Sequence, residues 1–187
     1  DGGVEEDVEV VLRERLRREY ARLDCVQRQL QAVDAQLRAQ REAANAGEAT
    51  IDAVSQRLVL LRGIADTGAA TLSAEMFGWR RFRNRREVGA CAGLTPTPYQ
   101  SGDSQREQGI SKAGNRRVRR LIVQLSWQWR RHQPDSVLTQ WFQRRYGGTG
   151  KRGRRVGIVA LARKLLIALW RYVEEGEVPA GARLKAA

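Results

Sequence analysis

Residues 93–115 read GLTPTPYQSGDSQREQGISKAGN, and we interpret the rest of the chain as organised around this stretch. It contains two of the four prolines, four glycines and three serines, with few large apolar residues. Neither helical nor strand periodicity is therefore expected to run through it. The composition predicts a long ordered loop, and such loops in compact domains are usually functional or disordered.

The segment that follows this loop favours a functional role. Asn115 is a suitable N-cap for a helix that opens with four arginines, at positions 116, 117, 119 and 120. The loop would bring Ser101-Gly102 next to these guanidinium groups, an arrangement that suits phosphate chemistry. Taken on its residues alone, the segment 101–104 is also typical of a turn, because Ser, Gly and Asp favour turns.

The positive charge of the chain is unevenly distributed. Residues 1–60 hold nine arginines against twelve acidic residues, whereas residues 61–187 hold 25 basic residues against nine acidic ones. The first part therefore has a net charge of −3 and the second a net charge of +16, so the basic character belongs to the second part alone. This asymmetry predicts a nucleic-acid partner for that part, through phosphate neutralisation and counterion release. The alternative is a solvated basic surface.

Other features limit the class of protein. The 187 residues are enough for one domain with an appendage, and since Met76 is the only methionine we expect a fragment of a longer protein. No signal peptide and no run of about eighteen apolar residues is recognisable, so no membrane partner is expected. Cys25, Cys91 and His132 are isolated, so no metal site is predicted, and a reduced cytoplasmic setting fits.

Residues 5–43 are predicted to form one long helix with a coiled-coil seam. At about 1.5 Å per residue this helix would be too long for a compact core to bury. We therefore predict an arm, residues 1–60, that forms a homo-oligomer or serves as a spacer, with the stripe from Ile51 to Leu61 able to fold back on it. The seam residues are Leu16, Leu23, Leu30 and Leu37, with Leu12, Val26 and Val33 at the complementary position.

Two segments after residue 60 are candidates for contacts with a nucleic-acid backbone. Gly63, Ile64 and Gly68 lie in a tight turn before a predicted helix, whose first amides could face a phosphate. A plain packing corner is an equally good interpretation of this turn. Residues 79–86, WRRFRNRR, combine arginines with aromatic rings that either stack on bases or anchor a turn in the core.

The part of the chain after Asn115 is predicted to be helical. One helix carries an apolar stripe from Val118 to Trp129, a second is capped at Asp135 or Ser136, and the apolar helix 156–172 is the expected centre of the core. Residues 144–155, RRYGGTGKRGRR, are predicted to be a flexible basic loop that grips phosphates through Lys151 and Arg152. The tail after Pro179 is expected to be loose.

Five motifs in this order resemble the insertion-sequence 110/1111 family of transposases, in its C-terminal transposase domain. They are LLRGIADTGAATLSAE at 60–75, GLTP at 93–96, YQSG at 99–102, GISKAGNRRVRRL at 109–121 and ALARKLLIALW at 160–170. The resemblance covers residues 58 to 176. This chain departs from the family at Ala65, where the helix-hairpin-helix turn usually has a second glycine, which weakens the expected phosphate contact there.

The resemblance implies an all-α protein with a coiled-coil arm, residues 1–60, and a transposase domain, residues 61–187. It implies that Ser101 attacks a DNA phosphodiester, that a guide RNA takes part, and that magnesium is held by a separate RNase-H-like domain rather than by these residues. Ser104 and Ser111 are weaker candidates, and no residue is assigned as the base. A non-catalytic nucleic-acid-binding module that dimerises through its arm is the alternative. The predicted nucleic-acid contacts are Gly63, Ile64, Gly68, Arg80, Arg81, Arg83, Gly102, Lys112, Asn115, Arg116, Arg117, Arg119, Arg120, Lys151 and Arg152.

Overall fold

The computed structural model describes residues 2–45, 53–101 and 104–185, and it describes side chains within these ranges except at 2–9, 40, 41, 43–45 and 98–108. The chain divides into two compact units, Asp1–Ala49 and Thr50–Ala187. The described residues are mainly helical, which confirms the predicted all-α class. The elements are α1 (Gly2–Asn45), α2 (Ala53–Val59), α3 (Asp66–Leu72), a π-helical turn (Ser73–Phe77), α4 (Arg85–Cys91), β1 (Pro96–Ser101), β2 (Ser104–Ile110), α5 (Arg116–His132), α6 (Val137–Tyr146) and α7 (Lys151–Glu175).

The first unit contains the predicted long helix, α1. Its seam residues with described side chains are largely exposed, with Leu16 62% and Leu30 58% accessible. Ion pairs such as Arg17 with Glu14 lie along its surface, and pairs of this kind stabilise a helix only slightly. The helix is therefore as expected, while the pairing of its seam with a second helix stays a prediction.

The second unit includes α2, which the sequence analysis assigned to the arm. Leu58 and Val59 of this helix are buried in the main core together with Leu61. Burial of these side chains against α3 and α7 removes apolar surface from water. Leu58 and Leu61 of the stripe therefore pack into the core of the second unit, Ile51 lies outside the described residues, and the fold-back of the stripe on the arm stays a prediction.

The core of the second unit lies between α5 and α7. The stripe on α5 is buried as predicted, with Ile122 and Trp129 almost inaccessible. On α7, Leu165, Leu166 and Leu169 are fully buried. The helix ends at Gly176, whose φ of 74° is the left-handed conformation that favours glycine at a helix C-terminus. The prediction that α7 is the central element of the core is confirmed.

A β-hairpin replaces the long loop predicted for residues 93–115. Strands β1 and β2 pair antiparallel from Pro96 with Ile110 to Ser101 with Ser104, with an irregularity between Pro96 and Pro98. A two-stranded ribbon has only edge strands, so its prolines break no ladder of a central strand. The pairing leaves two residues between the strands, and Gly-Asp is a suitable sequence for such a connection. The strands were not predicted because the prolines and glycines interrupt the alternating pattern that indicates a strand.

The basic segment 144–155 is also more ordered than expected. Helix α6 continues to Tyr146 and α7 begins at Lys151, so only residues 147–150 are not helical. Arginine and lysine are good helix formers. Gly157 then allows the ring of Tyr146 to pack directly against α7, because an added Cβ would lie 2.4 Å from the ring. The predicted flexible loop is therefore wrong at both of its ends.

The C-terminal segment is tied to the core, contrary to the prediction of a loose tail. Gln133 is fully buried, and its amide nitrogen donates to the carbonyl oxygens of Arg62 and Arg183, at 2.8 Å each. Its amide oxygen accepts from the Arg183 amide at 2.8 Å. Leu184 forms an isolated bridge with Leu61. One polar side chain thereby connects three parts of the chain.

Candidate nucleic-acid interface

The base of the hairpin is fixed between the end of α4 and the beginning of α5. The backbone amide of Lys112 donates to the Gly93 carbonyl oxygen at 3.1 Å, and the Ser111 amide donates to the Thr95 carbonyl oxygen at 2.8 Å. The backbone amide of Asn115 donates to the Cys91 carbonyl oxygen at 2.7 Å. The GLTP and GISKAGN motifs, which are distant in sequence, therefore bond to each other through their backbones.

Arg119 holds this junction from the side. Its guanidinium nitrogen Nη1 donates to the carbonyl oxygens of Ala92, at 3.1 Å, and Lys112, at 3.0 Å. Lys112 has a φ of 56°, a left-handed conformation that is uncommon for a residue with a side chain. The half-buried Arg119 was predicted to contact nucleic acid, but its observed bonds are made within the protein.

Two glycines make the junction possible. At Gly114, with φ 155°, an added Cβ would lie 2.5 Å from the Cys91 carbonyl oxygen. At Gly93, with φ 65°, it would lie 2.7 Å from Nη1 of Arg119. A side chain at Gly114 would force the backbone to move, and a side chain at Gly93 would force the guanidinium group of Arg119 to move. These glycines therefore serve close packing of the hairpin base.

The predicted residues at the start of α5 have different roles. The side-chain oxygen of Asn115 accepts from the amides of Arg117 and Val118, which confirms it as the N-cap. Its amide nitrogen donates to Glu75 at 2.8 Å, and Arg117 forms an ion pair with the same carboxylate at 2.8 Å. Arg116 and Arg120 are exposed. This cluster is thus partly neutralised, and Asn115 acts as a structural cap.

Ser101 lies at the end of the hairpin that is opposite its base. It ends β1 and pairs with Ser104, while Pro96 and Ile110 form the pair at the base. Five steps along a strand at about 3.3 Å per residue place its backbone about 16 Å from Pro96. Proximity of Ser101 to the block of α5 arginines stays a prediction. Gly102 lies outside the described residues.

A strongly basic groove lies beside the hairpin base. It has a volume of about 830 Å³ and is formed by α4, the hairpin base, α6 and α7. Seven basic side chains line it, and none of the other described lining residues is acidic. In the part of the chain that the structure describes, none of the seven forms an ion pair with a carboxylate. The groove cations are Arg85, Arg86, Lys112, Arg152, Arg155, Arg163 and Lys164.

Apolar and aromatic side chains complete the groove. Lys164 lies over the ring of Trp141 at 4.7 Å, and Trp141 meets Tyr146 edge to face with centroids 5.8 Å apart. Cations held close together without counter-charges create a positive potential that attracts a polyanion. Rings beside such cations can also contact nucleobases.

Of the groove cations, only Lys112 and Arg152 were among the predicted nucleic-acid contacts. Arg85 and Arg86 lie in the WRRFRNRR run, but which of its arginines share a surface depends on α4. Arg155 and Arg163 follow Arg152 at intervals of three and eleven residues, which is one face of a helix. This signal was hidden because residues 144–155 were interpreted as a loop. Lys151, also predicted, is exposed at the start of α7 and does not line the groove.

The predicted glycine turn lies outside the groove and is occupied by the protein itself. Ile64 is 1% accessible, and Gly68 is buried with the Leu125 side chain next to it. Gly63 has a φ of 93° and packs against His132. The Arg62 amide donates to the Arg183 carbonyl oxygen at 3.1 Å, and the side-chain nitrogen of Lys185 donates to the Ile64 carbonyl oxygen at 2.9 Å. These contacts correspond to the packing-corner interpretation of the turn.

Two of the three remaining predicted arginines line a second, smaller cleft. Arg80 and Arg81 line a space of about 440 Å³ between residues 79–82 and α4. Arg81 forms an ion pair with Glu174 at 3.2 Å, and Arg83 is exposed. The structure therefore divides the predicted contacts among the hairpin base, the groove and this cleft.

Within the described residues, no three His, Cys, Asp or Glu side chains come together as a metal site. No described helix is both long and apolar enough to cross a membrane.

The fold and the groove together define the class of protein. It is a helical, strongly basic unit, and the surface of its groove suits polyanions. Residues 55–141 match the family described as Transposase IS116/IS110/IS902. The chain is 44% identical over 179 residues to the transposase y4rJ of Sinorhizobium fredii, across 93% of this chain and 45% of that protein. It is 30% identical over 129 residues to the transposase for insertion sequence element IS1328 of Yersinia enterocolitica, across 68% of this chain and 38% of that protein. The chain therefore belongs to this transposase family, and it spans less than half the length of these relatives.

Proposed function

We propose that this chain is the serine-bearing, nucleic-acid-binding part of a DNA transposase that acts in the bacterial cytoplasm. The observation that carries the proposal is the groove of seven cations, which form no ion pair with a carboxylate among the described residues and which lie partly at the base of the hairpin that bears Ser101. Membership of the transposase family supports DNA as the polyanion. A phosphate backbone in the groove would neutralise these charges and release counterions.

In the proposed reaction, Ser101 is the nucleophile. Its hydroxyl oxygen forms a bond to a DNA phosphorus, one P–O bond of the strand breaks, and the released strand end takes up a proton. The serine proton is transferred to a base that these residues do not identify. Groove cations offer charge stabilisation to the bound backbone.

The location of Ser101 at the end of an extended hairpin supports a role that is completed by other parts of the full-length protein. A two-stranded ribbon is only marginally stable alone, so the contacts at its base help to define where it projects. We propose that the RNase-H-like domain implied by the family resemblance meets the DNA near this serine, and that a guide RNA directs the site. Both parts of this proposal follow from the resemblance.

A covalent-adduct assay on the full-length protein tests the role of Ser101. DNA carrying the transposon end would be incubated with wild-type protein, Ser101→Ala and Ser104→Ala, and the products separated under denaturing conditions. We expect an adduct with the wild type and with Ser104→Ala, and none with Ser101→Ala, although Ser101→Ala still binds DNA. An adduct that persists in Ser101→Ala would remove this serine from the mechanism.

The second candidate function is a non-catalytic nucleic-acid-binding module that dimerises through α1. The exposed leucines of the seam favour an oligomer, and the same groove would serve binding without chemistry. This candidate predicts that neither serine variant changes the products, because no adduct forms. The adduct assay therefore separates the two functions, whereas a binding assay does not.

A further inference from the structure

Trp79 carries an exposed ring that is held in a fixed orientation. The residue is 63% accessible, yet its indole nitrogen donates to the Ala74 carbonyl oxygen at 2.9 Å. Ala74 belongs to the π-helical turn, and such turns occur frequently at functional sites. Phe77 is buried and Phe82 packs against the core. The two phenylalanines therefore anchor this stretch, and packing does not account for the exposed tryptophan.

Arg80 is stacked on this ring and is itself held in place. Its guanidinium carbon lies 4.3 Å from the centroid of the Trp79 ring, and its Nη1 donates to the sulfur of Cys91 at 3.3 Å. A cation over an indole face is an attractive contact. Since both side chains are already ordered, a ligand that stacks on them loses little further side-chain entropy in the protein.

The cleft beside this pair is open to a planar group and is surrounded by positive charge. It is formed by residues 79–82 on one side and by α4 on the other, and Glu87 is its acidic lining residue. Both Glu87 carboxylate oxygens accept hydrogen bonds from the turn, from the Arg83 amide at 2.9 Å and the Asn84 amide group at 3.2 Å. The carboxylate is therefore engaged in capping α4.

We propose that Trp79 and Arg80 form a stacking shelf for an unpaired nucleobase in a single-stranded segment of DNA or RNA. Stacking on an aromatic ring tolerates every base, and nearby arginines bind the adjoining phosphates. Bases inside a duplex are already stacked on each other and are not available. Because α4 contributes to this cleft and, through Arg85 and Arg86, to the groove, one strand could contact both. The inference rests on the proposed function for the presence of nucleic acid.

Oligonucleotides that differ only in their bases test the shelf. Binding to the full chain would be measured by fluorescence anisotropy with single-stranded DNA, single-stranded RNA of the same sequence, and versions of both in which bases are replaced by abasic sites. The variants are Trp79→Ala and Trp79→Leu, and the second keeps apolar bulk if the first fails to fold. Trp127→Ala is the matched control, because Trp127 is 45% accessible and has Arg130 over its ring at 5.3 Å.

We expect Trp79→Ala and Trp79→Leu to weaken binding of the base-containing strand about tenfold, in line with the loss of one stacked base. Abasic strands should bind wild type and variants equally, and Trp127→Ala should resemble the wild type. Weaker binding of the base-containing DNA, of the base-containing RNA or of both supports the shelf and shows which nucleic acid it binds. Equal weakening for abasic strands, or no weakening in either arm, would overturn it. The adduct assay on the full-length protein reads the chemistry at Ser101 and not base stacking, so a failed shelf and a failed nucleophile are distinguished.

Discussion

Arg119 donates a hydrogen bond of 3.0 Å from its guanidinium group to the carbonyl oxygen of Lys112. This bond joins α5 to the residue that follows the hairpin, and the same nitrogen donates to Ala92 at the end of α4. A cation that appeared suited to DNA is thus used to close the base of the hairpin. The contact links the stability of the helical core to the position of the segment that carries Ser101.

Replacing Arg119 with methionine should destabilise the second unit. The change keeps an apolar side chain but leaves the Ala92 and Lys112 carbonyl oxygens without this donor, which should lower the free energy of unfolding by about 2 kcal/mol. Arg120→Met, an exposed neighbour on α5, is the control and should change it by less than about 0.5 kcal/mol. Urea denaturation measures both, and equal effects would contradict the role assigned to Arg119.

Gly114→Ala should be more damaging than its small size suggests. An added Cβ would lie 2.5 Å from the Cys91 carbonyl oxygen and 2.6 Å from the Gly93 nitrogen, at a φ of 155°. Because the backbone at the junction must move to make room, we expect the free energy of unfolding to fall by about 2 kcal/mol or more. Gly148→Ala, where an added Cβ meets nothing within 4 Å, is the control. Equal melting temperatures for the two variants would show that the junction adjusts freely.

Gln133→Leu should release the C-terminal segment. It removes the amide that bonds to Arg62 and Arg183, which should cost about 2 kcal/mol in unfolding free energy. Trypsin should then cleave at Arg183 faster than in the wild type, because the segment opens locally. Gln124→Leu, at an exposed position of α5, should leave the cleavage rate unchanged. An unaltered rate in Gln133→Leu would indicate that the segment is held by its other contacts.

Neutralising groove cations should reduce the salt dependence of DNA binding. Each phosphate contact contributes about 0.9 to the slope of log K against log salt for duplex DNA. Arg86→Gln and Arg155→Gln should therefore each lower the slope by up to about 0.9 and weaken binding. Arg131→Gln, an exposed arginine outside the groove, controls for the change in net charge. Identical slopes for all three variants would show that the groove does not bind the backbone.

Charges in the seam of α1 should lower the oligomer size. Leu23 and Leu30 are 52% and 58% accessible, and changing both to glutamate would disrupt a paired seam. Arg18→Glu with Arg28→Glu changes the charge of the same helix at positions that do not flank the seam and is the control. Sedimentation equilibrium measures the mass. A mass unchanged by the leucine substitutions would show that α1 does not mediate association.

Local sequence patterns determined much of this protein. The spacing of leucines predicted α1, the apolar stripes predicted α5 and α7, and Asn115 was recognisable as a cap because its side chain bonds to amides only two and three residues away. The charge asymmetry and the ordered motifs led to the transposase family. In each case the interacting residues are near each other in the chain, or the signal is a property of composition.

Only the tertiary structure decided which charges act together. Arg119 is used for packing while Arg163 and Lys164 face a groove, and this depends on how α4, α6 and α7 meet around the hairpin. The hairpin itself was missed because prolines are tolerated in a ribbon that has no central strand. Guanidinium groups are chemically alike, so their roles follow from the carbonyl oxygens and carboxylates that distant segments bring within reach.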